Sequence, residues 1–186
     1  MSAASKLSVQ PELLTTIAEV ETRGEAFLND GRPKVLFERH IFYRKLKVMG
    51  YSQEELKQLT RTYPDIVNPK PGGYKGGAEE YVKLNKALRI SNEAAYESIS
   101  MGRFQIMGFH YERCGFKSAK EMFDSANKHE REHLNMLVKF IESDKQMLKD
   151  LRSRNFHGFA YAYNGKNYRK NKYATKMENV YKQLTA

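Results

Sequence analysis

The amino-acid sequence predicts an α+β fold that is predominantly α-helical, and three observations carry that prediction. Apolar residues recur at i, i+3, i+4 and i+7 in several separate stretches, which is the period of a helix with one buried face. Two Ser-x-x-Glu boxes, Ser52 with Glu55 and Ser118 with Glu121, mark helix starts, because hydroxyl and carboxylate can each satisfy an orphan backbone N–H. Residues 25–42 change character toward β structure. There Asn29-Asp30-Gly31 and Pro33 are turn signals, and Val35-Leu36-Phe37 and Ile41-Phe42 are β-prone runs.

The first helix is expected from about Pro11 to Val20 or Glu21. Pro11 suits a first-turn position, Leu13, Leu14, Ile17, Ala18 and Val20 make a wide apolar face, and Gly24 breaks the helix. Residues 25–42 then read as a short β-hairpin or extended lobe. A helix with Leu56 and Leu59 follows the Ser52 box. Residues 64–77 hold three prolines and four glycines, so they are expected to form a loop. Beyond it, three stripes predict helices: Ala78, Tyr81, Leu84 and Leu88; His133, Met136, Leu137, Phe140 and Ile141; and Phe156, Phe159, Ala160 and Tyr163. Met177, Val180, Tyr181 and Leu184 predict a last helix.

The 186 residues, 40% hydrophobic and 12% aromatic, suit one domain, 1–186, with its own core and exclude a disordered chain. Cys114 is the only cysteine, so no intramolecular disulfide can form and the residue is expected in the core. The opening MSAASKLSVQPELL has no apolar run of signal-peptide length, and no membrane span is expected elsewhere. The protein is expected to be made in the cytoplasm and to act as a monomer. The net charge of +10 attracts polyanions. Residues 142–186 hold ten Lys/Arg against four Asp/Glu, and 166–186 form a basic amphipathic segment. Its apolar stripe can lie on an anionic outer-membrane surface or pack on the core. No nucleic-acid motif accompanies the charge, so nucleic acid is not an expected partner.

Three local patterns carry chemistry. Glu21 stands where an apolar helix meets a glycine turn. Burial there raises a carboxyl pKa, which suits a general acid, although an ordinary helix-end glutamate has the same pattern. Gly102-Arg103-Phe104-Gln105-Ile106-Met107-Gly108 embeds a glutamine among apolar residues. That amide must either bond backbone or hold a sugar or water in a cleft. Tyr161-Ala162-Tyr163-Asn164-Gly165 offers aromatic faces and an amide to sugars, or is simply a helix end at an Asn-Gly cap.

In this order, Glu21-Thr22-Arg23-Gly24, Gly102 to Gly108 and Tyr163-Asn164-Gly165 resemble the signature of the goose-type lysozyme and lytic transglycosylase superfamily. Gly31-Arg32-Pro33-Lys34-Val35-Leu36-Phe37-Glu38-Arg39-His40-Ile41-Phe42 is similar to the most characteristic stretch of the N-acetylmuramidase domain of phage endolysins. Arg103 departs from that pattern, which has an apolar or aromatic residue beside the glutamine. The likeness covers about residues 10 to 184. It implies a lysozyme-like fold with a short β-hairpin lobe. It also implies cleavage of the β-1,4 bond between N-acetylmuramic acid and N-acetylglucosamine in peptidoglycan, after the host membrane has been permeabilised. Glu21 becomes the general acid, Gly102, Phe104, Gln105, Tyr163 and Asn164 line the cleft, and no metal or cofactor is called for. Glu38 is the favoured second carboxylate, with Asp30 as its rival and Glu97 third. A lytic transglycosylase on the same bond needs no second carboxylate.

His129-Glu130-Arg131-Glu132-His133 fits the His-Glu-x-x-His pattern of zinc peptidases, which would make a peptidoglycan peptidase or amidase. Against it, Lys128 to Glu132 lacks the apolar wall of a metal helix and no third ligand is evident. His40, His110 and His157 are expected to be structural or cleft-lining.

Overall fold

The structure is a computed structural model and describes residues 2–22 and 26–186. Its helices are α1 (Ala3–Leu7), α2 (Pro11–Thr22), α3 (Arg39–Val48), α4 (Gln53–Thr62), α5 (Ala78–Leu88), α6 (Asn92–Glu97), α7 (Ala119–Ala126), α8 (Glu130–Glu142), α9 (Lys145–Arg152), α10 (Phe156–Asn164) and α11 (Tyr173–Thr185). Three strands accompany them: β1 (Val35–Phe37), β2 (Ile99–Met101) and β3 (Ile106–Met107). Short 3-10 turns span Gly108–His110 and Gly165–Arg169.

The helices begin where the sequence chemistry places them. Pro11 opens α2, which buries Leu13, Leu14 and Ile17 and carries Glu21 in its last turn. Arg23 and Gly24, the expected helix break, lie outside the described residues. Ser52 forms the complete capping box of α4: its hydroxyl accepts the Glu55 N–H, and the Glu55 carboxylate accepts the Ser52 N–H. At α7 only half of the box forms. Ser118 accepts the Glu121 N–H, but the Glu121 carboxylate takes the N–H of Lys117 at 2.7 Å, one residue early.

The β structure differs from the local hairpin expected in 25–42. Among the described residues of that stretch only Val35–Phe37 is a strand, and the turn at Asn29-Asp30-Gly31 closes no more than a bridge between Phe27 and Pro33. The partners of β1 lie more than sixty residues away: Val35 faces Met101 and Phe37 faces Ile99, and β2 continues antiparallel to β3. Ile41 and Phe42 belong to α3, where with Leu46 they form one buried face. Their β propensity yields to the packing that this face gains.

Nearly all the buried apolar residues among those described form one cluster drawn from α1 through α11 and the sheet. α11 lies along α2 and α10 and buries Tyr173, Ala174, Met177 and Tyr181. The Tyr181 hydroxyl donates to Gln10 Oε1, and Arg152 Nε donates to the carbonyl of Leu7 at 2.9 Å, so the two ends of the chain are fastened together. The apolar stripe of residues 166–186 is thus committed largely to the core. Lys166, Arg169, Lys170, Lys172 and Lys182 remain exposed. Cys114 is buried, and burial pushes its thiol up to about 12. Among the described residues no helix is long and apolar enough to cross a membrane.

Candidate active site

Glu21 and Gln105 together border two adjoining cavities, of about 300 Å³ and about 290 Å³. The first is completed by Leu28, Lys34, Val35, Leu36, Gly77, Gly102 and Arg103. The second holds Glu38, Ser100, Met107, His110, Tyr163 and Asn164, among others. The β1–β2–β3 sheet supplies the floor, because Lys34, Ser100 and Ile106 lie in or beside its strands.

Glu21 projects from the end of α2 into this double cleft. Its Oε1 is buried and has no hydrogen-bond partner. Burial raises the carboxyl to about 7, and the nearby hydroxyl of Tyr173 pulls in the opposite direction without cancelling it. The charged form has lost its water and gained little in exchange, so the proton is retained near neutrality. That is the state a general acid needs.

Glu38 immediately precedes α3 and borders the second cavity with Glu21. The Tyr74 hydroxyl donates to Glu38 Oε2 at 2.8 Å, and His40 Nδ1 stands 3.1 Å from the same oxygen. Tyr74 comes from the Pro/Gly loop, which Arg39 secures by donating to the carbonyls of Pro64, Lys70 and Pro71. Asp30 is placed differently. It is exposed, chelates Arg32 with its side chain and lies on neither cavity wall. The Arg32 guanidinium holds its carboxyl below the usual range. Glu97 is buried against Lys45 at 2.7 Å and borders another cavity.

Gln105 takes a left-handed backbone, φ 47°, which is costly for a residue with a side chain. Its side chain explains how the turn holds. Nε2 donates to the carbonyls of Gly102 at 2.9 Å and Lys34 at 3.3 Å, while Oε1 accepts from Ser100 Oγ at 2.8 Å. The amide therefore bonds mainly within the protein and sets the wall between the two cavities. Gly102 has φ 70°, and a Cβ there would lie 2.9 Å from the His133 ring.

Phe104 departs from the expectation of a cleft residue. Its side chain is buried and borders a separate cavity with Leu14, Ala18 and Leu134, and its carbonyl accepts the Tyr163 hydroxyl at 2.8 Å. Tyr163 is both a wall and an anchor: it is half-buried on the second cavity, and its ring packs against Phe159, Phe140 and Tyr173. Asn164 is exposed at the end of α10, on the second cavity. His110 lines that cavity too, and burial next to Arg113 and Lys45 drives it down to about 4, so it is neutral.

The His-Glu-x-x-His pattern is absorbed by the fold. His133 is buried; its Nδ1 accepts the Arg103 N–H at 3.1 Å and its Nε2 donates to the Ala126 carbonyl at 2.8 Å. His129 caps α8, where its Nδ1 accepts the Arg131 N–H. Glu130 is ion-paired with Arg103. No ring nitrogen of His133 is left for a ligand, so the zinc-peptidase reading is set aside. Among the described residues no group of three or more His, Cys, Asp or Glu is arranged to hold a metal.

Lys34, inside the Gly31–Phe42 stretch, also joins the site, and Tyr74 and Tyr173 join it without a signal in the sequence. Tyr74 is one tyrosine in a loop, and Tyr173 lies 152 residues from Glu21, so only tertiary packing unites them with the carboxylates.

A helical body, a small sheet along the cleft and a buried carboxyl at a helix end together define an enzyme of the lysozyme-like class. The family model for N-acetylmuramidase matches residues 10–185, and the chain belongs to that family and is a peptidoglycan muramidase. It is also similar to a solved structure titled "Crystal structure of Burkholderia AP3 phage endolysin", with 41% identity and a TM-score of 0.87. That match covers 98% of this chain and 67% of the other. No curated protein matches the chain.

Proposed function

We propose that this chain is an endolysin that hydrolyses the bond between N-acetylmuramic acid and N-acetylglucosamine, with Glu21 as general acid and Glu38 as general base. One observation supports this above the rest: a buried carboxyl raised to about 7 borders the same cavity as a second carboxylate. Protonated Glu21 donates to the glycosidic oxygen as the bond breaks. Glu38, with Tyr74 and His40 at its Oε2, receives a proton from the attacking water, the role an inverting enzyme requires of its base. Lys34, Gln105 and Asn164 contact the glycan. Residues 1–186 act as one catalytic domain and as a monomer. The protein reaches the cell wall once the cytoplasmic membrane has been breached. The exposed cations of 166–186 hold it electrostatically to anionic outer-membrane lipid, without inserting the apolar stripe.

The test is cleavage of purified peptidoglycan in the presence and absence of a chelator, followed by mass spectrometry of the muropeptides. New reducing ends that persist with chelator are expected, and they should disappear in Glu21→Gln. Anhydro ends, one water lighter, would overturn hydrolysis in favour of transglycosylation.

A further inference from the structure

Beneath the cleft lies a buried ion pair that the proposed chemistry does not use. Glu80 and Lys83, both on α5, have side chains 0% and 4% exposed and meet at 2.8 Å. Each also holds main chain. Glu80 Oε2 accepts the N–H of Phe37 at 3.0 Å. Its Oε1 accepts the N–H groups of Lys75 at 2.7 Å and Gly76 at 3.0 Å. Lys83 Nζ donates to the carbonyl of Gly73 at 2.6 Å.

Those attachment points bracket the second carboxylate. Phe37 directly precedes Glu38, and Gly73 and Lys75 flank Tyr74, whose hydroxyl donates to Glu38. A buried ion pair is seldom retained for stability alone, because desolvation offsets its attraction and an apolar pair of similar size serves as well. Here the pair does what apolar side chains cannot: it grips carbonyl and N–H groups of a loop with three prolines and four glycines, whose backbone forms no strand or helix. Although burial opposes the charge of Glu80, the bonds from Lys83, Lys75, Phe37 and Gly76 outweigh it and hold the carboxyl below its usual range.

We propose that Glu80 and Lys83 are positioning residues of the muramidase reaction: together they clamp the 73–76 loop to the end of β1, so that Tyr74 holds Glu38 in its working orientation. The proposal rests on Glu38 being the second carboxylate, a role that Glu38→Gln tests alone.

The experiment is a cycle between the clamp and the tyrosine. Lys83→Met removes the tether to Gly73 and leaves Glu80 three backbone donors. Glu80→Met/Lys83→Met removes both charges, so neither is stranded. Each is combined with Tyr74→Phe, and kcat and KM are measured on purified peptidoglycan beside thermal melts and tryptic cleavage after Lys75. The clamp variants should lose roughly tenfold or more in kcat, the scale of a small misplacement of a reacting group. KM should hold, cleavage after Lys75 should quicken, and Tyr74→Phe should add nothing further. If a clamp variant still melts cooperatively but keeps kcat within about twofold, or if Tyr74→Phe costs its full factor in that background, the clamp does not act through Tyr74 and the proposal falls. Should the double variant lose its melting transition, Lys83→Met alone decides by the same two criteria. A silent Glu38→Gln beside an intact tryptic effect would instead condemn the assignment of Glu38.

Discussion

The carboxyl of Glu21 is held in conflict with folding at alkaline pH. Its folded pKa, about 7, lies above the ordinary 4.5, so between these values the folded chain binds more protons than the unfolded one. Its contribution to stability is fully present below 4.5 and is lost as pH rises through about 7. The penalty at higher pH is on the order of 3 kcal/mol, since each tenfold change in acidity corresponds to about 1.4 kcal/mol. Glu21→Gln removes it, so the variant should melt close to wild type at pH 4 and several degrees higher at pH 8, while general-acid catalysis falls by roughly 10²-fold or more. Equal melting temperatures at pH 8 would show that the carboxyl is not strained. For the second carboxylate, Glu38→Gln should cost more activity than Asp30→Asn, because Asp30 is exposed and bound to Arg32, outside both cavities. Side-by-side turnover on permeabilised Gram-negative cells checks the ranking.

Among the elements, the turn between β2 and β3 concentrates the constraints. Gly102 has positive φ, and a Cβ there would meet at 2.9 Å a His133 ring that is bonded at both nitrogens and stacked on Phe27. That ring has no room to retreat. Gly102→Ala should therefore lower stability by about 1–3 kcal/mol, the cost of a side chain in a left-handed conformation, read as a reduced urea midpoint at unchanged slope. The helices are legible in the sequence because their signals are local: a stripe at period 3.6, a serine cap, a proline in the first turn. The sheet is not. Its strands are two or three residues long, and β1 pairs with β2 across more than sixty residues, so the Asn-Asp-Gly turn suggests a hairpin that the chain does not complete. The site divides in the same way. Glu21, Glu38, Gln105 and Asn164 lie in recognisable stretches, whereas Tyr74, Glu80, Lys83 and Tyr173 take their meaning only from what they touch. Phe104 stands in the right motif, yet its side chain lies away from both cavities, which no spacing rule resolves.

At the scale of the whole molecule, charge and packing separate. Most of the apolar face of α11 packs on α2 and α10, with Leu184 left exposed, while Lys170, Lys172 and Lys182 stay in solvent. Adhesion to an anionic surface should then be purely electrostatic, worth about 1 kcal/mol per cation. Reversing these three lysines to Glu should weaken pelleting with phosphatidylglycerol vesicles at least about tenfold and flatten its salt dependence, with cleavage of purified peptidoglycan unchanged. Undiminished pelleting would remove the C-terminal cations from the account.

The fastening of the two chain ends has a consequence in time. The helix that bears Glu21 is covered by α11, and the Tyr173 and Tyr181 side chains close around it from the far end of the sequence. Before those tyrosines have packed, α2 lacks its cover, and the Glu21 carboxyl should have the acidity of an ordinary glutamate. A chain in that state should not supply the proton that the proposed mechanism asks of Glu21 at neutral pH. The proposed acid chemistry should therefore appear late in folding, once α11 has packed onto α2.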